Sequence, residues 1–114
     1  MHEYPITQQI INICERHCEE AKANRVKAVK LVCGEATGYL HDSIQMYFDI
    51  IGEGTKCEGA RLEIVRVKPK LRCPNCGNLF ERTQLFSFAC PECGTDGNPS
   101  EIGKEFYIEE IEVE

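Results

Sequence analysis

Residues 73–94 read CPNCGNLFERTQLFSFACPECG. Two Cys-x2-Cys pairs, Cys73/Cys76 and Cys90/Cys93, stand thirteen residues apart. A zinc site takes four deprotonated sulfurs in tetrahedral geometry, each about 2.3 Å from the metal. A two-residue gap lets both thiolates of one tight turn reach the same ion. Gly77 and Gly94 follow the pairs. Glycine takes the positive φ such a turn needs and leaves backbone N–H groups aimed at the sulfurs. Phe80, Phe86 and Phe88 between the knuckles predict a hairpin with a small apolar face. A module this small buries too little surface to fold unaided. Metal binding, on the order of 10–16 kcal/mol in zinc-finger peptides, would hold it together.

Two other chemistries compete for the same cysteines. A thiol–disulfide centre normally uses one such motif on a strand–helix turn, not two. Iron is held by similar Cys-Pro-x-Cys-Gly knuckles. The short intervening loop fits a zinc ribbon better. With all four thiolates used and no fifth donor nearby, the expected zinc is structural.

Outward from this module the chain changes character. "PITQQIINICERHCEEAK" (5–22) predicts a helix, with Ile6, Ile10, Ile13, Cys14, His17, Cys18 and Ala21 on one face and Asn24 as its stop. Pro5 suits its first turn. "RVKAVKLVCGE" (25–35) predicts a strand, "TGYLHDS" (37–43) a loop, and "SIQMYFDIIGEG" (43–54) a second helix burying Ile44, Phe48 and Ile51. "ARLEIVRVK" (60–68) and "EFYIEEIEVE" (105–114) predict two more strands. In both, the apolar phase switches midway, which predicts a bulge or a change in which face is covered. The expected fold class is α+β: a small three-stranded sheet with two helices, plus an inserted four-cysteine zinc-ribbon module. The expected division is one domain of residues 1–68 and 99–114, interrupted by a zinc-binding domain at 69–98.

Composition narrows the function. No run approaches the roughly 18 apolar residues of a membrane helix. No basic segment followed by an apolar stretch opens the chain, so a cytoplasmic location is the expectation. The net charge of −6 is uneven. Residues 1–65 carry 7 basic and 10 acidic side chains, residues 66–98 carry 5 and 3, and residues 99–114 carry 1 and 6. Arg66, Lys68, Lys70 and Arg72 alternate along the entry to the cysteine module. One small basic cluster on an acidic chain argues against nucleic acid, whose phosphates need many cations. A solvated, lysine-guarded strand edge is the simpler account.

The remaining candidates read as structure. Cys14 and Cys18 share the apolar stripe of Ile6 and Ile10, and free cysteine packs as a small hydrophobe. Cys33 ends a valine-rich strand and is also expected in the core. Cys57 falls in a loop and is a candidate reactive thiol. His41, just before the second helix, is expected to cap it or be exposed. Glu109, Glu110, Glu112 and Glu114 read as an exposed strand face. No glycine-rich phosphate loop and no nucleophile–base order is present, so no enzymatic activity is expected.

An amino-terminal Met-His-Glu, the sheet domain and the inserted module stand together here. With "MHE" (1–3), "CGEATGY" (33–39), "IGEGTKCEGARLEI" (51–64), "CPNCG" (73–77), "CPECG" (90–94) and "IEEIEVE" (108–114), the chain resembles the HypA/HybF family of hydrogenase nickel-incorporation proteins. The resemblance implies a nickel metallochaperone that passes Ni(II) to the large subunit of a nickel–iron hydrogenase with a HypB-type GTPase. Some relatives also serve urease maturation. It implies structural zinc on Cys73, Cys76, Cys90 and Cys93, and His2 as nickel ligand. Residues 4–6, Tyr-Pro-Ile, depart from the Ser and Leu common in the family. Ni(II) accepts square-planar nitrogen sites. The amine of Met1, the imidazole of His2 and the amide nitrogens of His2 and Glu3 form one short chelating stretch. The competing assignment is a zinc-ribbon adaptor for protein or nucleic acid, indifferent to residue 2.

Overall fold

The computed structural model describes residues 2–82 and 84–114. Helix α1 spans Glu3–Glu20, strand β1 Val26–Gly34, helix α2 His41–Ile51 and strand β2 Arg61–Val67. Three two-residue strands follow in the cysteine module: β3 Leu71–Arg72, β4 Leu79–Phe80 and β5 Asn98–Pro99. Strand β6, Phe106–Val113, closes the chain. The larger sheet has the order β2-β1-β6, with β1 central, parallel to β2 and antiparallel to β6. The smaller sheet has the order β4-β3-β5. The α+β class, the three-stranded sheet and the inserted cysteine module are as expected from the sequence.

Both helices begin two residues before their expected starts. For α1 the reason is that Pro5 tolerates any of the first positions, whose N–H groups have no intrahelical acceptor. Its end also comes early: the chain leaves at Ala21 and turns through Lys22 at φ 55°, ahead of Asn24. For α2 the Leu40 carbonyl accepts the N–H groups of Ser43 and Ile44, both at 3.1 Å. His41 is therefore the first helical residue, not a loop residue. Gly52 ends α2, its N–H donating to the Phe48 carbonyl at 2.9 Å.

The buried stripe of α1 is Glu3, Thr7, Ile10, Ile11, Cys14 and Cys18. Ile13, His17 and Ala21, assigned to that face from periodicity, are exposed, and Ile11 is buried in their place. The stripe turns this way because α1 packs on α2 as well as on the sheet. The Tyr4 and Tyr47 rings pack in a T-shaped arrangement across this helix pair, with centroids 5.3 Å apart.

The main core joins Ile10, Ile11, Cys14 and Cys18 of α1 to Val26, Val29, Leu31 and Cys33 of β1, to Ile44 and Phe48 of α2, and to Cys57 and Leu62. Fully burying a side chain such as Leu31 or Phe48 contributes about 1.5–3 kcal/mol. Cys73, Phe80 and Cys90, with Leu71 against them, form a separate small cluster. Phe80 thus takes the inward place expected of it. Phe86 instead lies 90% exposed and Phe88 46% exposed, because the inter-knuckle loop turns at Gln84–Ser87 without a strand to fold them under.

The phase switch in β6 is a bulge. Lys30 pairs with Glu110 and Leu31 with Ile108, so Glu109 has no opposite partner. That extra residue moves Ile111 to the side that Ile108 faces. Strand β2 has no bulge. Its ladder to β1 runs unbroken from Arg61 to Val67, and Ile64, Val65 and Val67 are each half-buried. Among the described residues no helix is long and apolar enough to cross a membrane.

Candidate metal centres

The four knuckle cysteines converge. Their sulfur atoms all lie within 4.8 Å of one another. Cys73 and Cys93 are 3.4 Å apart and Cys76 and Cys90 3.7 Å apart. A tetrahedron with bonds of about 2.3 Å has edges of about 3.8 Å, so one ion fits the gap. The two knuckles repeat one geometry. Gly77 donates to the Cys73 carbonyl at 2.9 Å and Gly94 to the Cys90 carbonyl at 2.8 Å. Both glycines have positive φ, 77° and 80°. Each turn delivers an amide to a sulfur: Cys76 N–H to Cys73 Sγ at 3.5 Å, and Glu92 N–H to Cys90 Sγ at 3.4 Å.

Further donors support the thiolate form. The Asn78 side-chain amide donates to Cys90 Sγ at 3.7 Å, and the Thr95 hydroxyl lies 3.5 Å from Cys93 Sγ. The Thr95 hydroxyl and amide bring Cys93 down to about 6. Burial raises Cys90, but the amides around it outweigh burial and leave it below the ordinary thiol range. The Asn78 amide pulls Cys76 down, yet burial and the three neighbouring sulfurs push it up to about 12. Four sulfurs this close resist ionising together without a cation among them. A divalent metal removes that conflict, which is why the donor set suits one.

In the sheet domain the amino-terminal residues divide. His2 is exposed at the N-cap of α1, and its side chain makes no capping hydrogen bond. Met1 lies outside the described residues. Glu3 is turned inward, only 5% exposed, and its Oε2 accepts the Leu40 backbone N–H at 2.8 Å. That amide, donating to the ionised form, holds the carboxyl at about 2. The side chain of Glu3 therefore ties the start of α1 to the start of α2. Its backbone N–H belongs to the first helical turn, where no intrahelical acceptor exists. A role for the Glu3 side chain as a fastener carried no sequence signal, because the acceptor's partner is a backbone amide 37 positions away.

The other cysteines lie in the core. Cys14 and Cys18 are wholly buried, as expected, and so is Cys33. Cys57 is not an accessible loop thiol: it is 1% exposed, because the turn before β2 folds its sulfur inward toward the Ile11 carbonyl. There it shares a hydrogen bond with Cys14 that lowers Cys57 and raises Cys14. His41 is buried too, at 8% exposure, with Nε2 unpartnered among the described residues.

A two-helix, three-stranded α+β domain with an inserted module of four converging cysteines is the architecture of a small protein suited to holding a metal. Residues 1–113 match the family described as "Hydrogenase/urease nickel incorporation, metallochaperone, hypA". The chain is 44% identical over 115 residues to "Hydrogenase maturation factor HypA" of Caldanaerobacter subterraneus subsp. tengcongensis, spanning all of both chains. It is 41% identical over 116 residues to the protein of that name from Dehalococcoides mccartyi (strain CBDB1), spanning all of this chain and 95% of the relative. Among solved structures it is similar to "Solution structure of HypA protein", with TM-score 0.72 and 26% identity over 100% of this chain and 97% of that one. It is also similar to "Solution structure of the Ni metallochaperone HypA from Helicobacter pylori", with TM-score 0.64 and 26% identity over 99% and 97%. The chain belongs to the HypA family of hydrogenase maturation factors and nickel metallochaperones.

Proposed function

We propose that this chain carries Ni(II) at its amino terminus and delivers it during maturation of a nickel–iron hydrogenase, in the cytoplasm. The observation that carries this reading is the contrast between His2 and Glu3. His2 is exposed with its imidazole uncommitted to a cap, while Glu3 anchors the next residue to α2. Glu3 is thereby held at a fixed point while the His2 side chain beside it stays exposed. A free α-amine, with a pKa of about 7.7–8, yields its proton to a metal near neutral pH, and Met1 would supply one. The imidazole of His2 supplies a nitrogen of the type that commonly ligates metals. The amide nitrogens of His2 and Glu3 complete a square plane. Pro5 has no amide hydrogen and stops the chelate from spreading along the helix.

Zinc on Cys73, Cys76, Cys90 and Cys93 is structural in this reading, and residues 69–98 form a separate zinc-binding domain. Residues 1–68 and 99–114 form the nickel domain. The surface beside residue 2 receives the partners, a HypB-type GTPase and the hydrogenase large subunit. Urease maturation proteins are a second client class, in keeping with the family's description. Neither nucleic acid nor membrane is a partner. The chain acts by binding and release, not by catalysis. Equilibrium metal titration of the untagged, zinc-loaded protein tests this. One Ni(II) per chain, beyond the zinc, is expected, and His2→Ala should abolish it with the fold intact. Equal nickel binding by the two proteins would refute the reading.

A further inference from the structure

Where the cysteine module joins the sheet domain, two strands of chain run side by side. Lys70 donates its N–H to the Ile102 carbonyl at 3.3 Å, and β3 pairs with β5. Ser100 donates its hydroxyl to the Lys70 carbonyl and accepts the Ile102 N–H at 3.2 Å. Gly103, at φ 103°, lies so close to Pro69 that a Cβ there would stand 2.6 Å from the Pro69 Cα. The junction is thus fastened, and a cavity of about 280 Å³ opens beside it.

The floor is apolar, built from Pro69, Leu71, Phe88 and Ile102. Lys70, Arg82 and Lys104 also line it, and no acidic residue does among the described residues. None of these three cations takes part in an ion pair among the described residues. The Arg82 guanidinium stands 5.1 Å over the Phe88 ring, a contact that positions the cation without using its N–H donors. Three unpaired cations around an apolar floor are out of keeping with a chain of net charge −6. The loop that supplies Arg82 and Phe88 also carries Leu85, 69% exposed, and Phe86, 90% exposed. Apolar side chains grouped at a surface mark contact sites for other proteins.

We propose that this cavity docks an acidic peptide segment of a partner protein, which inserts one large apolar side chain flanked by carboxylates. The volume is below the roughly 300–1,000 Å³ of sites for drug-sized ligands, so it suits a side chain rather than a cofactor. A phosphate would need converging backbone amides or a helix N-terminus. The backbone N–H groups of Ala36, Lys70, Ile102 and Lys104 in the lining are each already donated within the chain, and the Ser100 hydroxyl gives its proton to the Lys70 carbonyl. Nucleic acid would need many more cations than three. Charge complementarity to carboxylates, with an apolar anchor, is what remains. The inference is independent of where nickel binds.

The test is a random peptide display selection on the full zinc-loaded chain, counter-selected against the Lys70→Glu/Lys104→Glu variant. The expected consensus is one large apolar residue between acids. A synthetic consensus peptide should shift the NMR signals of Leu71, Phe88 and Ile102. Its affinity should drop about tenfold or more in the variant, and it should weaken with salt. Arg82→Gln, a neutralisation on an exposed loop, should weaken it in the same direction, with zinc content measured to confirm an intact module. A consensus without acids would overturn the proposal. So would shifts confined to other residues, equal affinity in the charge variants, or saturable shifts of these residues by inorganic phosphate or AMP.

Discussion

Glu3 and His2 are neighbours with opposite environments, and that difference makes them separable by experiment. The Leu40 amide favours the ionised Glu3 carboxylate and draws it from an ordinary 4.5 to about 2. A depressed carboxylate contributes stability above its unfolded value and loses it as pH falls through the folded one. The nickel-free protein should therefore lose stability between about pH 4.5 and 2 through this group. Glu3→Gln should be less stable than the parent at neutral pH and should converge with it in acid. Thermal unfolding of both proteins across that range checks this; parallel profiles would mean the carboxylate contributes nothing. His2→Ala, by contrast, removes an exposed side chain without a capping bond, and a change within about 0.5 kcal/mol is expected. Sequence alone points to the four cysteines because their spacing is local, whereas His2 enters through the resemblance to the family. It cannot show Glu3 as a fastener or Cys57 as buried, since both depend on which distant backbone lies opposite.

Helix and strand positions are legible from apolar periodicity, and their ends less so. Both helices start two residues early because first-turn N–H groups need no acceptor within the helix, which makes the start permissive. The buried face of α1 departs from the periodicity at Ile13 and His17, because periodicity cannot say which of two neighbours, α2 or the sheet, a stripe must satisfy. The phase switch in β6 is a true bulge signal at Glu109, whereas the same pattern in β2 reflects half-covered faces. Between elements, the module junction offers a sharp test. Gly103→Ala must both adopt φ 103° and displace Pro69. Strain of this kind costs about 1–3 kcal/mol. Chemical denaturation should register a loss of that order, with amide exchange rising first at Lys70 and Ala36, whose N–H groups bond to Ile102 and Gly103. Unchanged exchange at both amides would show the junction to be looser than its geometry.

The molecule is elongated, 55 × 25 × 17 Å, with two apolar clusters that share no residue. On the proposed reading, the module between β2 and β6 lets each part be stabilised by its own means: apolar burial in the sheet domain, ligation in the module. Cys73→Ser should accordingly release zinc and disorder residues 70–98 while the sheet domain keeps its amide protection. Collapse of both parts together would contradict that independence. By the same logic, Phe48→Ala should destabilise the sheet domain by about 3–5 kcal/mol and leave the zinc content unchanged, as metal analysis of the purified variant would report. The nickel site proposed above uses the Met1 amine and His2 together. Its most direct measurement is Ni(II) titration, followed by absorption spectroscopy, of the native protein and of a variant with two residues added before Met1. The terminal chelate predicts that the extended variant loses both the affinity and the square-planar spectrum. Equal affinity with the same spectrum would contradict it.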